Sequence, residues 1–299
     1  WLKGSDTSGQ PGAYGTEGQP DAANNPGARE RASSWLDNSG GMWIFGGSGY
    51  DNAGNYGSLN DVWRYDAGSG NWVWVAGYNT CNQSGTYGTQ RVEDTTNTPG
   101  ARYDAVVWPS KTGALWLFGG QGYKGDGEYN TLNDLWRYNT STKKWAWMMG
   151  SSSHIQSSVY GSQGSSASAN IPGGRYTAVS WSDADGHFWL FGGLGYVENG
   201  NSGRLNDLWH YDPSTGHWTW MKGSATPNQP AVYGTLGVPD AANTPGARNT
   251  ATSWPSTTGA KWLFGGYGYD ASGALGYAND LWRYDSDTNC WTWVKGSSS

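Results

Sequence analysis

Runs of five to seven aliphatic, aromatic and β-branched residues follow one another along the chain, each bounded by Gly, Asn, Asp or Ser, and this pattern predicts short strands rather than helices. A representative set is 102–108 (RYDAVVW), 115–119 (LWLFG), 132–138 (LNDLWRY) and 145–149 (WAWMM). In the last run Trp145 and Trp147 share a face, and in the third Leu135 and Arg137 oppose Trp136 and Tyr138, the alternation of half-buried strands. The link between the first and second runs is about five residues with a Gly (Gly40, Gly113, Gly186, Gly259), and that between the third and fourth about six, from Asp66 or Asp212. Both read as hairpins. The second and third runs are joined by a loop of about eleven residues (48–58), and the fourth leads to the next first run by about 24 residues (78–101). Because antiparallel strands reverse at every turn, the two long connections emerge on one side, which nominates that side for binding.

The pattern recurs at a fixed interval. Phe-Gly-Gly stands at Phe45, Phe118, Phe191 and Phe264, each 73 residues after the last, and Trp35, Trp43, Trp63, Trp72 and Trp74 recur on the same beat. A fixed period means one supersecondary unit repeated, with each copy burying its apolar face against the next. The repeats run approximately 1–73, 74–146, 147–219 and 220–292, with 293–299 in phase with 1–7, and a single domain over 1–299 is expected.

A Gly-Gly doublet closing an apolar strand, a strand ending in Tyr, and a Trp seven positions later (Gly46-Gly47, Tyr65, Trp72; Gly119-Gly120, Tyr138, Trp145) resemble the kelch motif. That resemblance implies an all-β fold, a β-propeller of four blades with four antiparallel strands per blade, the first strand innermost. The repeat, at 73 residues, is longer than the ~50 of kelch sequences, the surplus falling in the longest loop. The opening Trp1-Leu2-Lys3 repeats Trp293-Val294-Lys295. It is either a lead-in beside the last repeat or, with Trp291 and Trp293, a strand through which copies polymerise at an open sheet edge.

Composition narrows the function. A net charge of −6 with 18 scattered basic residues makes no basic stripe for nucleic acid, and no apolar run approaches the ~20 residues of a membrane span. With no initiator Met and no signal peptide, Trp1 reads as a processed end or a cut edge. Abundant Gly, Ser, Thr, Asn and Trp with two Cys fit an extracellular or cell-surface protein. Cys81 and Cys290 are candidates for a disulfide, with free thiols or an intermolecular bridge as the alternatives. Asn82 and Asn139 lie in glycosylation sequons, and Thr98 and Thr244 beside Pro are further candidates for glycans.

Candidate chemistry is sparse. His154, His187, His210 and His217 fall at unrelated phases, so no transition-metal site is expected, and no catalytic residue is nominated. Arg29, Arg102, Arg175 and Arg248, with Asp61, Asp134, Asp207 and Asp280, recur in every repeat and are read as structural, Arg paired with carboxylate and Asp satisfying loop N–H groups. Loops from Tyr50, Tyr123, Tyr196 and Tyr269 are oxygen-rich and glycine-bent, so calcium is considered there and a plain turn preferred. These tyrosines, with Tyr14, Tyr87, Tyr160 and Tyr233, are candidates for stacking on a ligand, with loop packing preferred. The expectation is a non-enzymatic structural or adhesive module that assembles with itself; the alternative is a lectin-like propeller binding carbohydrate or another surface protein.

Overall fold

The computed structural model describes residues 2–37, 39–153, 156–256 and 259–298. It is all-β with antiparallel pairing throughout, and the one helical element among the described residues is a single 3-10 turn, Glu198–Gly200. The chain divides into two compact units, Trp1–Ile155 and Gln156–Ser299, each holding two consecutive repeats.

In the first unit, the first repeat forms a six-stranded sheet ordered Pro20–Asp21, Asn71–Ala76, Tyr56–Asp66, Met42–Tyr50, Arg29–Glu30, with Ser33–Leu36 also on Met42–Tyr50. The second repeat divides the same strands between a four-stranded sheet (Lys144–Met149, Leu135–Asn139, Leu115–Phe118, Val106–Pro109) and a three-stranded one (Tyr129–Thr131, Gln121–Tyr123, Arg102–Tyr103). In the second unit the third repeat is split in the same way, and the fourth is continuous, with five strands. Trp136 faces Trp147 across Leu135–Asn139 and Lys144–Met149, and Trp209 faces Trp220 in the third repeat, the cross-strand pairing that the alternating pattern predicts.

Two expected elements differ. The first strand, predicted unbroken over 102–108, is interrupted after Tyr103, where Asp104 takes a left-handed backbone (φ 53°) as Arg31 (58°), Thr177 (55°) and Thr250 (55°) do at the same register. The break lets consecutive repeats join: the Asp104 N–H donates to the Arg31 carbonyl (3.0 Å) and the Thr250 N–H to the Thr177 carbonyl (3.1 Å). The loop expected over 48–58 is instead a hairpin, with Ser48 opposite Ser58 and Tyr50 opposite Tyr56.

The Phe-Gly-Gly beat has a steric cause. Gly47, Gly120, Gly193 and Gly266 all have φ near 95°, and a Cβ on each would come within 2.7 to 2.8 Å of a carbonyl oxygen of the first strand (Glu30, Tyr103, Tyr176, Asn249). Only glycine lets the second strand pass that close.

Within each unit an aromatic cluster is shared by its two repeats. In the first, Phe45 packs edge-on against Trp145 (5.7 Å) and Trp43 against Tyr138 (6.4 Å); in the second, Phe191 meets Trp291 (5.4 Å) and Trp189 meets Tyr284 (5.5 Å). Tryptophan and tyrosine thus do the joining, each burial worth about 2 to 3 kcal/mol or more.

Candidate functional site

The recurring polar residues assemble into one buried constellation per repeat. Arg102 grips Asp134 with both terminal nitrogens (Nη1 to Oδ1 2.6 Å, Nη2 to Oδ2 2.7 Å) and donates to the carbonyls of Gly100 and Gly119. Asp134 Oδ2 also accepts from the Tyr87 hydroxyl (2.7 Å) and Trp136 Nε1 (2.7 Å). The same donors meet Asp61 from Arg29, Tyr14 and Trp63, Asp207 from Arg175, Tyr160 and Trp209, and Asp280 from Arg248, Tyr233 and Trp282. Burial alone would raise the Asp134 carboxyl, but the Arg102 guanidinium and the Trp136 and Tyr87 donors outweigh it and hold it below the usual carboxylate range. Burial, then the neighbouring carboxylate, pushes the hydroxyls of Tyr14, Tyr87, Tyr160 and Tyr233 upward, so they stay protonated as donors.

Those four tyrosines are therefore core. Each is 7% exposed or less with its hydroxyl committed to an Asp, which leaves no ring face for a ligand. Tyr50, Tyr123, Tyr196 and Tyr269 are half-buried at the hairpin that replaces the expected loop. Tyr50 packs edge-on with Tyr56 (5.2 Å) and Tyr123 with Tyr129 (5.3 Å). The more exposed tyrosines are Tyr56 (55%), Tyr78 (44%), Tyr129 (42%) and Tyr277 (90%); Tyr56 and Tyr129 stand one period apart, at a register that Ser202 and Leu275 hold in the later repeats.

The remaining candidates are dispersed. Asp51 Oδ1 accepts the N–H groups of Ala53 and Asn55 and its Oδ2 that of Cys81, so the carboxylate considered for calcium closes its own turn; Lys124 and Val197 hold its register in the next repeats. Cys81 and Cys290 are both free thiols and partly exposed. The Asn139 amide donates to Glu93 (3.1 Å), whereas Asn82 is exposed and its Oδ1 accepts from the Ser58 N–H (2.9 Å). Thr98 and Thr244 are half-buried.

Of the nominated polymerisation strand, Trp1 lies outside the described residues, Leu2 is 93% exposed, and Lys3 Nζ donates to Asn71 Oδ1 (2.9 Å). Trp291 is fully buried in the second core. The edge expected to be open at Cys290–Lys295 is covered by the chain's own long connection, through a bridge of Asp240 to Trp291 and a bond from the Gly237 N–H to the Trp293 carbonyl (2.8 Å). The same cover lies over the fourth strand elsewhere: Pro20–Asp21 on Asn71–Ala76, Asp94 on Trp145 and Ala167 on Trp218. It satisfies the edge groups that strand addition would need.

One grouping breaks the repeat symmetry. Asp183, His187 and His210 bring one donor atom each within 4.8 Å of one another, with the two imidazoles edge-on at 4.8 Å between centroids. Burial, with His187 alongside, lowers the His210 imidazole to about 4. Subtracting the repeats from one another would have found it, since Arg64, Arg137 and Arg283 stand where His210 does.

No helix among the described residues is long and apolar enough to cross a membrane. Neither a protein-family model nor a curated protein sequence matches the chain.

Proposed function

We propose that each repeat is one blade of a kelch-type β-propeller, four antiparallel strands to the blade and four blades to the chain, and that the protein is a non-enzymatic extracellular module that builds a structural or adhesive array by joining copies head to tail. The observation that supports this reading is the joint within each unit, where Phe and Trp of one repeat pack against Trp and Tyr of the next (Phe45 and Trp43 on Trp145 and Tyr138; Phe191 and Trp189 on Trp291 and Tyr284). Each repeat thus carries one aromatic face that receives a successor and another that docks on a predecessor, and Phe264 and Trp72 stand at the equivalent positions of the fourth and first repeats. A joint of two different faces is heterologous, and copies joined by it propagate. The buried Arg–Asp constellations add support, since the polar groups repeated in every blade are spent on structure.

Sedimentation of three samples tests this. Phe264→Asp alone and Trp72→Ala alone are expected to run as monomers, while an equal mixture forms a heterodimer through the one intact face on each, with melting curves confirming that both fold. Wild-type chains that stay monomeric at every concentration overturn the reading. The alternative, a lectin-like or protein-binding propeller, is favoured by the exposed rings of Tyr56, Tyr129 and Tyr277, and by Arg31 and Arg204 stacked over Tyr103 (4.1 Å) and Tyr267 (4.6 Å). Glycan-array binding lost in Tyr277→Ala would select it.

A further inference from the structure

The third repeat differs from its siblings at one corner of its sheet, where the first hairpin turn meets the third strand. Trp189 lies opposite His210 in the register between Phe188–Phe191 and Leu208–Asp212. His187 continues the second strand backwards by one residue, so it shares a face with Trp189 and sits diagonal to His210. Asp183, in the preceding turn, is held from three directions: its Oδ1 accepts the N–H groups of Asp185 (3.1 Å) and His187 (2.9 Å), and its Oδ2 accepts Trp189 Nε1 (2.8 Å). Oδ2 keeps its second lone pair towards His187 Nδ1, 3.7 Å away. The opposite ring nitrogen, Nε2, lies 3.7 Å from Asp212 Oδ1.

The first repeat shows what this corner does when it is purely structural. There Asp37 Oδ2 accepts Trp43 Nε1 (2.8 Å) and pairs with Arg64 Nε (3.3 Å), and Gly41 stands at the register of His187. The second and fourth repeats have Arg137 and Arg283 with Ala114 and Ala260, and Ser110 and Ser256 where Asp37 and Asp183 stand. Relative to the first repeat, two coordinated replacements, Arg by His and a small residue by His, exchange a permanently charged donor for two imidazoles beside a carboxylate that both repeats hold.

We infer that Asp183, His187 and His210 form a binding site for a divalent ion of the zinc class, with Asp212 orienting His187 from behind its other ring nitrogen. Two imidazoles and a carboxylate are a zinc donor set, and a fourth position remains for water. The donor atoms, all within 4.8 Å of one another, need to close to about 3.4 Å around an ion bound at about 2.1 Å, a movement that side-chain rotation supplies. A carboxylate behind the distal nitrogen of a ligating histidine is the usual means of fixing its tautomer and orientation. Lys261, whose Nζ lies 4.0 Å above the Trp189 ring, contributes one positive charge against the two carboxylates. An ion here would tie the turn of 183–187 to the third strand, the tie that the Arg64–Asp37 pair makes in the first repeat. The inference is independent of the assembly reading and stands if that fails.

Calorimetric titration with zinc alone is the test, since His210→Arg installs the residue the other repeats carry and should fold as the wild type does. The wild type is expected to bind one zinc per chain with a rise in melting temperature, and Asp212→Asn to bind about tenfold more weakly. His210→Arg is expected to melt at the wild-type temperature without zinc and to show neither the binding nor the rise. Absence of binding by the wild type, or equal binding by His210→Arg, overturns the assignment.

Discussion

The Asp at the centre of each constellation carries most of what a single residue can contribute here. Asp134 and Arg102 are both wholly buried, and Asp134 accepts four hydrogen bonds. Asp134→Asn leaves a buried guanidinium without its counter-charge and is expected to cost about 3 to 5 kcal/mol in denaturant unfolding. Tyr87→Phe removes one donor of four and is expected to cost about 1.5 to 3 kcal/mol, because the bond is to a charged group. The depressed carboxyls of Asp134 and Asp280 add stability that is present in full above the ordinary aspartate value of about 4 and is lost as pH falls through the lower folded value. The raised tyrosines act at the other end: stability holds below about pH 10 and is lost as pH rises from there towards their folded values. Melting temperature followed across pH should show a plateau with both flanks; in His210→Arg, which removes the loss that the lowered His210 imidazole brings below about pH 6.5, an acid flank that begins well above pH 5 would contradict the assignment. In the sequence, the recurrence of Arg and Asp pointed to structural pairing, but the Tyr that completes each group could be read only as loop packing or as a surface ring, since its spacing of 47 residues from the Asp carries no geometric hint.

Elements obey the repeat more strictly than propensity would allow. Thr177 and Thr250, both β-branched, hold left-handed backbone at the break in the first strand, a conformation that costs roughly 1 to 2 kcal/mol. The bond from the Thr250 N–H to the Thr177 carbonyl joins the repeats at that point. Thr177→Gly is expected to be neutral or to stabilise by up to about 1 kcal/mol in urea unfolding, since the bond uses only the backbone. Gly47→Ala is expected to destabilise by more than about 2 kcal/mol, its Cβ meeting the Glu30 carbonyl. The strands themselves were legible from alternation and turn residues. The break was not, because Arg31, Asp104, Thr177 and Thr250 share no side-chain chemistry that announces a positive φ.

At the scale of the whole molecule, the two cysteines are the simplest check. One lies in each unit and both are free, so a reductant is expected to leave the melting temperature unchanged. Burial, with Asp51 beside it, raises the Cys81 thiol, so Cys81 should alkylate slowly at neutral pH in the folded protein. A melting temperature that falls on reduction would mean a disulfide instead.

Period, strand pattern and turn chemistry are local properties, and the sequence by itself determined them: an all-β chain of four equal repeats whose tryptophans face a core. Three features belong to tertiary structure alone. The long connection folds back over the fourth strand, because an exposed row of backbone donors and acceptors finds partners wherever the chain can reach. The recurring tyrosines turn inward, because a buried carboxylate gains from every donor within reach. His187 and His210, 23 positions apart and at unrelated phases, meet beside Asp183 because sheet register brings them to one face, a coincidence visible only once the strands are paired.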